Sequence, residues 1–187
     1  MASSHLVLGG ARSGKSRFAL AGVPPRARVA FVATAQAGDG DMAARIARHR
    51  AERPRGWITV EEPLEVVPRV AALAGEVDCV IVDCVTVWIA NRLLRGDDDG
   101  AILAAGDELA ALAARDVFAL TLVSNEVGAG VVPPTPEGVR FRDLLGIVNQ
   151  RLAASAGRVT LMVAGLPLAL KAPAASGGGH DLAPQTA

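Results

Sequence analysis

One octapeptide near the N-terminus limits what this chain can fold into: Gly9-Gly10-Ala11-Arg12-Ser13-Gly14-Lys15-Ser16. It satisfies G-x-x-x-x-G-K-[ST] at every fixed position. In such a loop the backbone N–H groups wrap the phosphates of a nucleotide, the lysine reaches the terminal phosphates, and the serine hydroxyl reaches Mg²⁺. The mechanism needs a strand before the loop and a helix after it. His5-Leu6-Val7-Leu8 is a short apolar run suited to a buried strand, and Arg17-Phe18-Ala19-Leu20-Ala21 reads as helix.

The rest of the chain repeats the strand–helix alternation. Strands are expected at 5–9, 28–33, 57–60, 77–82 and 117–123, with 158–164 as the last. Helices are expected from the loop to Gly22 and over 42–53, 64–74, 85–95, 102–115 and 140–156. Asp41 reads as the N-cap of the second helix. Residues 96–100 read as a polar loop, and the Gly- and Pro-rich stretch 128–138 as an extended one. Uninterrupted apolar strands between helices predict an α/β fold of the P-loop NTPase type: RecA-like, a mostly parallel sheet with helices on both faces. Residues 1–172 are read as a single domain. Residues 173–187, rich in Gly, Ala and Ser, carry too little apolar surface to order themselves and are read as a disordered tail holding His180.

Composition narrows the class. Of 187 residues, 51% are apolar, 3% are aromatic and none is Tyr, so Val, Leu, Ile and Ala must build the core. Charges balance at 19 against 19, which speaks against nucleic acid as a partner. Lysine occurs twice, at Lys15 and Lys171, so a chain that otherwise uses arginine places a lysine in the glycine loop. Cys79 and Cys84 lack C-x-x-C spacing and read as buried free thiols. No signal peptide is read at Met1–Ser4, and no apolar run reaches the roughly 18 residues that span a bilayer. A cytoplasmic location is the expectation.

Ligands of open α/β sheets sit at the carboxyl ends of the strands. Thr34, Ala35 and Gln36, Glu61, Asp83, and Asn125-Glu126 all fall there. Asp83 ends an apolar run and is placed either to hold Mg²⁺ with Ser16 or to cap the helix that follows. On the 42–53 helix, Met42, Arg45, Ile46, His49 and Arg53 share one stripe by i, i+3 and i+4 spacing. Neighbouring cations disfavour the imidazolium, and a neutral imidazole is a competent nucleophile toward phosphorus. The residues alone leave His49 open as an ordinary surface or core histidine. Trp57 and Trp88 are read as core or as pocket walls, and Trp88, Asn91 and Arg92 as candidate interface or substrate contacts.

Several segments occur together: Gly9–Arg17, Ala-Thr-Ala-Gln at 33–36, Asp-Met-Ala-Ala-Arg-Ile-Ala-Arg-His-Arg at 41–50, Arg-Pro-x-x-Trp at 53–57, Asp-Cys-Val-Thr at 83–86, Ser-Asn-Glu-Val-Gly-Ala-Gly-Val-Val-Pro at 124–133, and Phe141–Ala153. The set resembles the bifunctional adenosylcobinamide kinase/adenosylcobinamide-phosphate guanylyltransferase family, collinearly over about 5–171. The resemblance implies phosphorylation of adenosylcobinamide by ATP or GTP. It then implies attack by a histidine on the α-phosphorus of GTP, release of pyrophosphate, and transfer of GMP to adenosylcobinamide phosphate, giving adenosylcobinamide-GDP. The nucleophile of the family falls on His49. Its nucleotide contacts fall on Gly9, Gly10, Ala11, Arg12, Ser13, Gly14, Lys15 and Ser16, on Thr34, Ala35 and Gln36, on Arg50, Ala51, Glu52 and Arg53, and on Glu61 and Asp83. The resemblance implies Mg²⁺ held by Ser16 and Asp83, Lys15 in the chemistry beside His49, and a homo-oligomer, a trimer. Relatives often carry glutamate at Asp83, and some carry histidine at Arg48. The alternatives are a P-loop kinase of another small molecule, without guanylyltransferase activity, and a nucleotide-binding module without turnover.

Overall fold

The computed structural model describes residues 4–36, 54, 56–115 and 117–172. Its strands are β1 (His5–Gly9), β2 (Val29–Ala33), β3 (Ile58–Glu61), β4 (Cys79–Asp83), β5 (Ala119–Val123), β6 (Arg158–Val163) and β7 (Leu166–Lys171). They form one sheet in the order β3-β2-β4-β5-β1-β6-β7, every neighbouring pair parallel except β6–β7. The helices are α1 (Lys15–Ala21), α2 (Val66–Ala71), α3 (Val85–Arg95), α4 (Asp99–Ala113) and α5 (Pro136–Ser155).

Strand alternation sends side chains to both faces of the sheet. Leu6, Leu8, Ala30, Val32, Val80, Val82, Leu120 and Leu122 meet residues of α2 to α5 in the larger core. Phe31, Ala33, Ile81 and Val123 point the other way and meet Ala19 of α1, with Trp57 half-buried beside them. Both faces are thus dry, as uninterrupted apolar strands require.

The α/β expectation is met, with local corrections. The helices expected from 102 and 140 begin earlier. Asp98 caps α4 by accepting from the Ala101 N–H at 2.7 Å, so Asp99 and Gly100 belong to the helix rather than to the polar loop. Thr135 caps α5 by accepting from the Gly138 N–H at 3.1 Å, with Pro136 at the first turn, so the extended loop ends before Pro136. The segment after 164 is not outside the sheet. Ala164 and Gly165, with φ of 51° and 83°, make a two-residue turn of the hairpin type, and β7 pairs back on β6. All six β7 residues are exposed, and Pro167 is tolerated because this is an edge strand. The helix expected over 42–53, its Asp41 cap and the tail 173–187 lie outside the described residues.

His5, at the amino end of β1, is half-buried. Its Nε2 lies 2.8 Å from Thr160 Oγ1, and the Phe18 ring stands edge-on at 5.9 Å. Burial, and then the charge of Arg158, lower its pKa from 6.5 to about 4. The fold therefore favours neutral His5, while the unfolded chain takes up a proton more readily. This contribution to stability is complete above pH 6.5 and is lost as pH falls from 6.5 toward 4. It amounts to on the order of 2 kcal/mol. Urea unfolding at pH 7 and pH 4.5 should show the corresponding loss in wild type and a smaller one in His5→Asn; equal losses would remove His5 from the account.

Candidate nucleotide site at the strand exits

The loop between β1 and α1 is shaped by its backbone. Gly9 has φ +149°, and a Cβ there would sit 2.5 Å from the Met162 carbonyl and 2.6 Å from Ser13 Oγ. Only glycine fits. Gly14 has φ +92° and caps α1 without any side-chain cap. Gly10, Ala11 and Arg12 are exposed at the tip, and Arg12 takes φ 56°. Lys15 is 7% exposed, and its Nζ donates to the Gly10 carbonyl at 2.6 Å. The ammonium is therefore drawn back over the loop. The Gly165 N–H donates to the Ser13 carbonyl at 3.1 Å, so the β6–β7 turn buttresses the loop from the side.

Across the sheet, the exits of β2, β3 and β4 are knotted together. The Thr34 hydroxyl donates to the Cys84 carbonyl and accepts from the Cys84 N–H, both at 2.8 Å. The Thr34 N–H donates to the Asp83 carbonyl at 3.2 Å. Asn91 of α3 donates to the Thr34 carbonyl at 2.8 Å and to the Pro63 carbonyl at 3.1 Å. Trp88, fully buried, donates its Nε1–H to the Leu64 carbonyl at 2.8 Å. Trp88 and Asn91 are thus internal ties. Arg92 stacks on Trp88 at 5.7 Å and pairs with Asp97 at 2.8 Å. Thr34 was expected at a nucleotide, but it is 0% exposed and its polar groups are taken. Ala35 is half-buried and Gln36 exposed, so these two face outward from the knot. Gln36 borders a cavity of about 260 Å³ with Leu64, Asn91, Leu94 and Arg95. A larger depression of about 630 Å³, among Pro24, Pro25, Ala27, Cys79 and Ala119, lies at the strands' amino ends and away from the loop.

Asp83 closes β4 level with Ala33 on one side and Val123 on the other. It does not cap α3: the N-cap is Cys84, and no side chain bonds there. Its Oδ2 is buried with no hydrogen-bond partner among the described residues. The Cys84 thiol is pushed up to about 11 by burial and then by the Asp83 charge, with Lys15 pulling the other way. Asp83 and Lys15 therefore act on the Cys84 thiol in opposite directions. Both cysteines are free, as expected. Among the described residues no group of three or more His, Cys, Asp or Glu could hold a metal. An orphaned carboxylate oxygen near a phosphate-type loop instead suits a divalent cation that shares its coordination with a nucleotide. Glu61, at the exposed end of β3, pairs with Ala33 and flanks the knot. His49, Arg50, Ala51, Glu52 and Arg53 lie outside the described residues.

A family model, cobinamide kinase / cobinamide phosphate guanyltransferase (CobU), matches residues 5–170. The chain belongs to this family. It is 47% identical over 171 residues to the bifunctional adenosylcobalamin biosynthesis protein CobP of Pseudomonas aeruginosa, covering 89% of this chain and 96% of that protein. It is 40% identical over 178 residues to the bifunctional adenosylcobalamin biosynthesis protein CobU of Escherichia coli K12, covering 89% and 98%. Among solved structures it resembles an ATPase from the type III secretion system of pathogenic bacteria, with a TM-score of 0.52 at 11% identity. That match covers 85% of this chain and half of the ATPase. A protein from Pyrococcus horikoshii OT3 matches with a TM-score of 0.52 at 8% identity, over 91% and 86% of the two chains. At such identities these two speak for the fold alone.

The exit ties were hidden from sequence reasoning because a threonine or asparagine bonded to a distant backbone leaves no local pattern. The Thr34 tie is testable. Thr34→Val removes both bonds to Cys84 and should cost about 2–3 kcal/mol of stability, with Thr34→Ser restoring most of it. Chemical denaturation measures this. Unchanged stability with weakened nucleotide binding would return Thr34 to the ligand.

Proposed function

We propose that this chain carries out both reactions of its family. In the first, the hydroxyl of adenosylcobinamide forms a bond to the γ-phosphorus of ATP or GTP. The bond to the β,γ-bridging oxygen breaks, the nucleoside diphosphate leaves, and the alcohol's proton passes to water. In the second, a nitrogen of His49 bonds to the α-phosphorus of GTP and pyrophosphate leaves. A phosphate oxygen of adenosylcobinamide phosphate then displaces His49, giving adenosylcobinamide-GDP. The observation that carries this reading is the family match across residues 5–170.

The roles follow from chemistry. The N–H groups of Gly9 to Ser16 grip the phosphates, and Lys15 neutralises the departing group. Ser16 and Asp83 are the residues that would hold a divalent cation, Mg²⁺ in this reading. That cation supplies charge neutralisation on the phosphate oxygens. In this reading Ala35, Gln36 and Glu61 serve the nucleotide, and Arg45, Arg50 and Arg53, with Ala51 and Glu52 between the last two, serve the α-phosphate. A covalent guanylyl–histidine divides one difficult displacement into two in-line steps. The reading takes residues 1–172 as the catalytic unit, working in the cytoplasm as a homotrimer. No described helix is long and apolar enough to cross a membrane.

The test uses Mg²⁺ and GTP labelled at the α-phosphate, followed by denaturation. Label that is lost in acid, kept in base and absent from His49→Ala supports the reading. Label retained in His49→Ala moves the nucleophile elsewhere, and no label in wild type leaves a kinase alone. Lys15→Ala should abolish phosphorylation of adenosylcobinamide; unchanged turnover would refute the loop assignment.

A further inference from the structure

The order β4-β5-β1 places the exit of β5 between Asp83 and the glycine loop. Val123, its last residue, is level with Asp83 on one side and Val7 on the other. The next three residues run along the loop's own strand: the Ser124 N–H donates to the Val7 carbonyl at 3.0 Å and the Glu126 N–H to the Gly9 carbonyl at 3.1 Å. Asn125 is held between these two anchors.

Its backbone is fixed a second time, from two helices. The Asn125 N–H donates to Thr86 Oγ1 of α3 at 2.6 Å. The Asn125 carbonyl accepts from Asn149 Nδ2 of α5 at 3.0 Å. Thr86 and Asn149 are 7% and 6% exposed, and Asn149 keeps a buried Oδ1 without a partner among the described residues. Two buried polar side chains thus hold the two peptide groups on either side of one loop residue. Burying them for shape alone costs free energy that apolar residues would not cost. What this arrangement aims is the Asn125 side chain, half-buried and without a partner among the described residues. The neighbouring Glu126 carboxylate is exposed and accepts from the Gly128 N–H at 2.7 Å. It therefore caps its own turn.

We infer that Asn125 is a catalytic residue of the phosphoryl-transfer half, its Nδ2–H donating to an oxygen of the γ-phosphate, and that Thr86 and Asn149 are the positioning residues that hold it there. A neutral donor fixed in advance suits this place. It stabilises charge that grows on the phosphoryl oxygens without competing with Lys15 for the bridging oxygens. The inference rests on the kinase half of the proposed function.

Two measurements test it. In Mg²⁺ buffer, wild type and Asn125→Ala are titrated with ADP and with the β,γ-imido analogue of ATP. The variant should bind the analogue about 10-fold more weakly and ADP as wild type does. No change in either, or the same loss in both, overturns the inference. At saturating nucleotide, kcat for phosphorylation of adenosylcobinamide should fall about 100-fold in Asn125→Ala, the scale for loss of one preorganised donor. Guanylyl label from saturating GTP should still form. The near-isosteric Asn125→Asp, which keeps the shape but not the N–H donor, should not recover kcat. Recovery in that variant would overturn the role. Thr86→Val should show the same loss of analogue-over-ADP preference in weaker form, and Thr86→Ser should restore it. A wild type that leaves adenosylcobinamide untouched would refute the proposed function, while the ADP and analogue titrations would still judge Asn125.

Discussion

A parallel sheet releases its strands at one edge, and every chain leaving that edge carries backbone N–H and C=O groups that have lost their ladder partners. Leaving them buried and unpaired costs more than any single packing contact here returns. The structure meets this cost with side chains borrowed from the helices. Thr34 closes on Cys84, Asn91 spans Thr34 and Pro63, Trp88 holds Leu64, and Thr86 and Asn149 take the two sides of Asn125. The helices of the larger core therefore do more than cover apolar strands. Their buried polar residues fix where each exit loop starts.

The base of the candidate site is therefore tied together by hydrogen bonds from the helices. Once the ties are satisfied, few polar atoms are left over. The Asp83 carboxylate oxygen and the Asn125 carboxamide are both on exits next to one another, and the glycine loop that bears Lys15 follows the next strand, β1. A pocket of this kind is defined by what the scaffold leaves unpaired. Its chemistry is then set by the charge pattern, one cation against one carboxylate, which suits a phosphate chain carrying its own metal.

Sequence alone reached the architecture because both of its signals are local. The glycine loop has a fixed spacing, and buried parallel strands are short apolar runs whatever their partners. Helix starts at Asp98 and Thr135 were also written locally, as capping residues, but apolar periodicity drew the boundaries inward. The β7 strand was missed because Leu-Pro-Leu-Ala-Leu carries a proline and its turn is Ala-Gly rather than Asn-Gly; edge position excuses the first and the backbone accepts the second. Asp83 was legible by position. The purpose of Thr34, Asn91 and Asn149 was not, because each bonds to backbone far along the chain. The histidine stripe over 42–53 remains a reading of sequence and family.

The strand that bears the glycine loop precedes the other described strands and pairs only with two late ones. β1 lies between β5 and β6, and the loop's Ser13 carbonyl is held by Gly165 at the far turn of the final hairpin. During synthesis, β1 thus waits, apolar and unpaired, until β5 and β6 have been made. Contacts so distant in sequence slow folding and lengthen the time in which such a strand can pair wrongly. The glycine loop is consequently complete only once β5, β6 and the turn after them are in place. A truncation in the β6–β7 hairpin therefore removes the loop's support from a place far along the sequence.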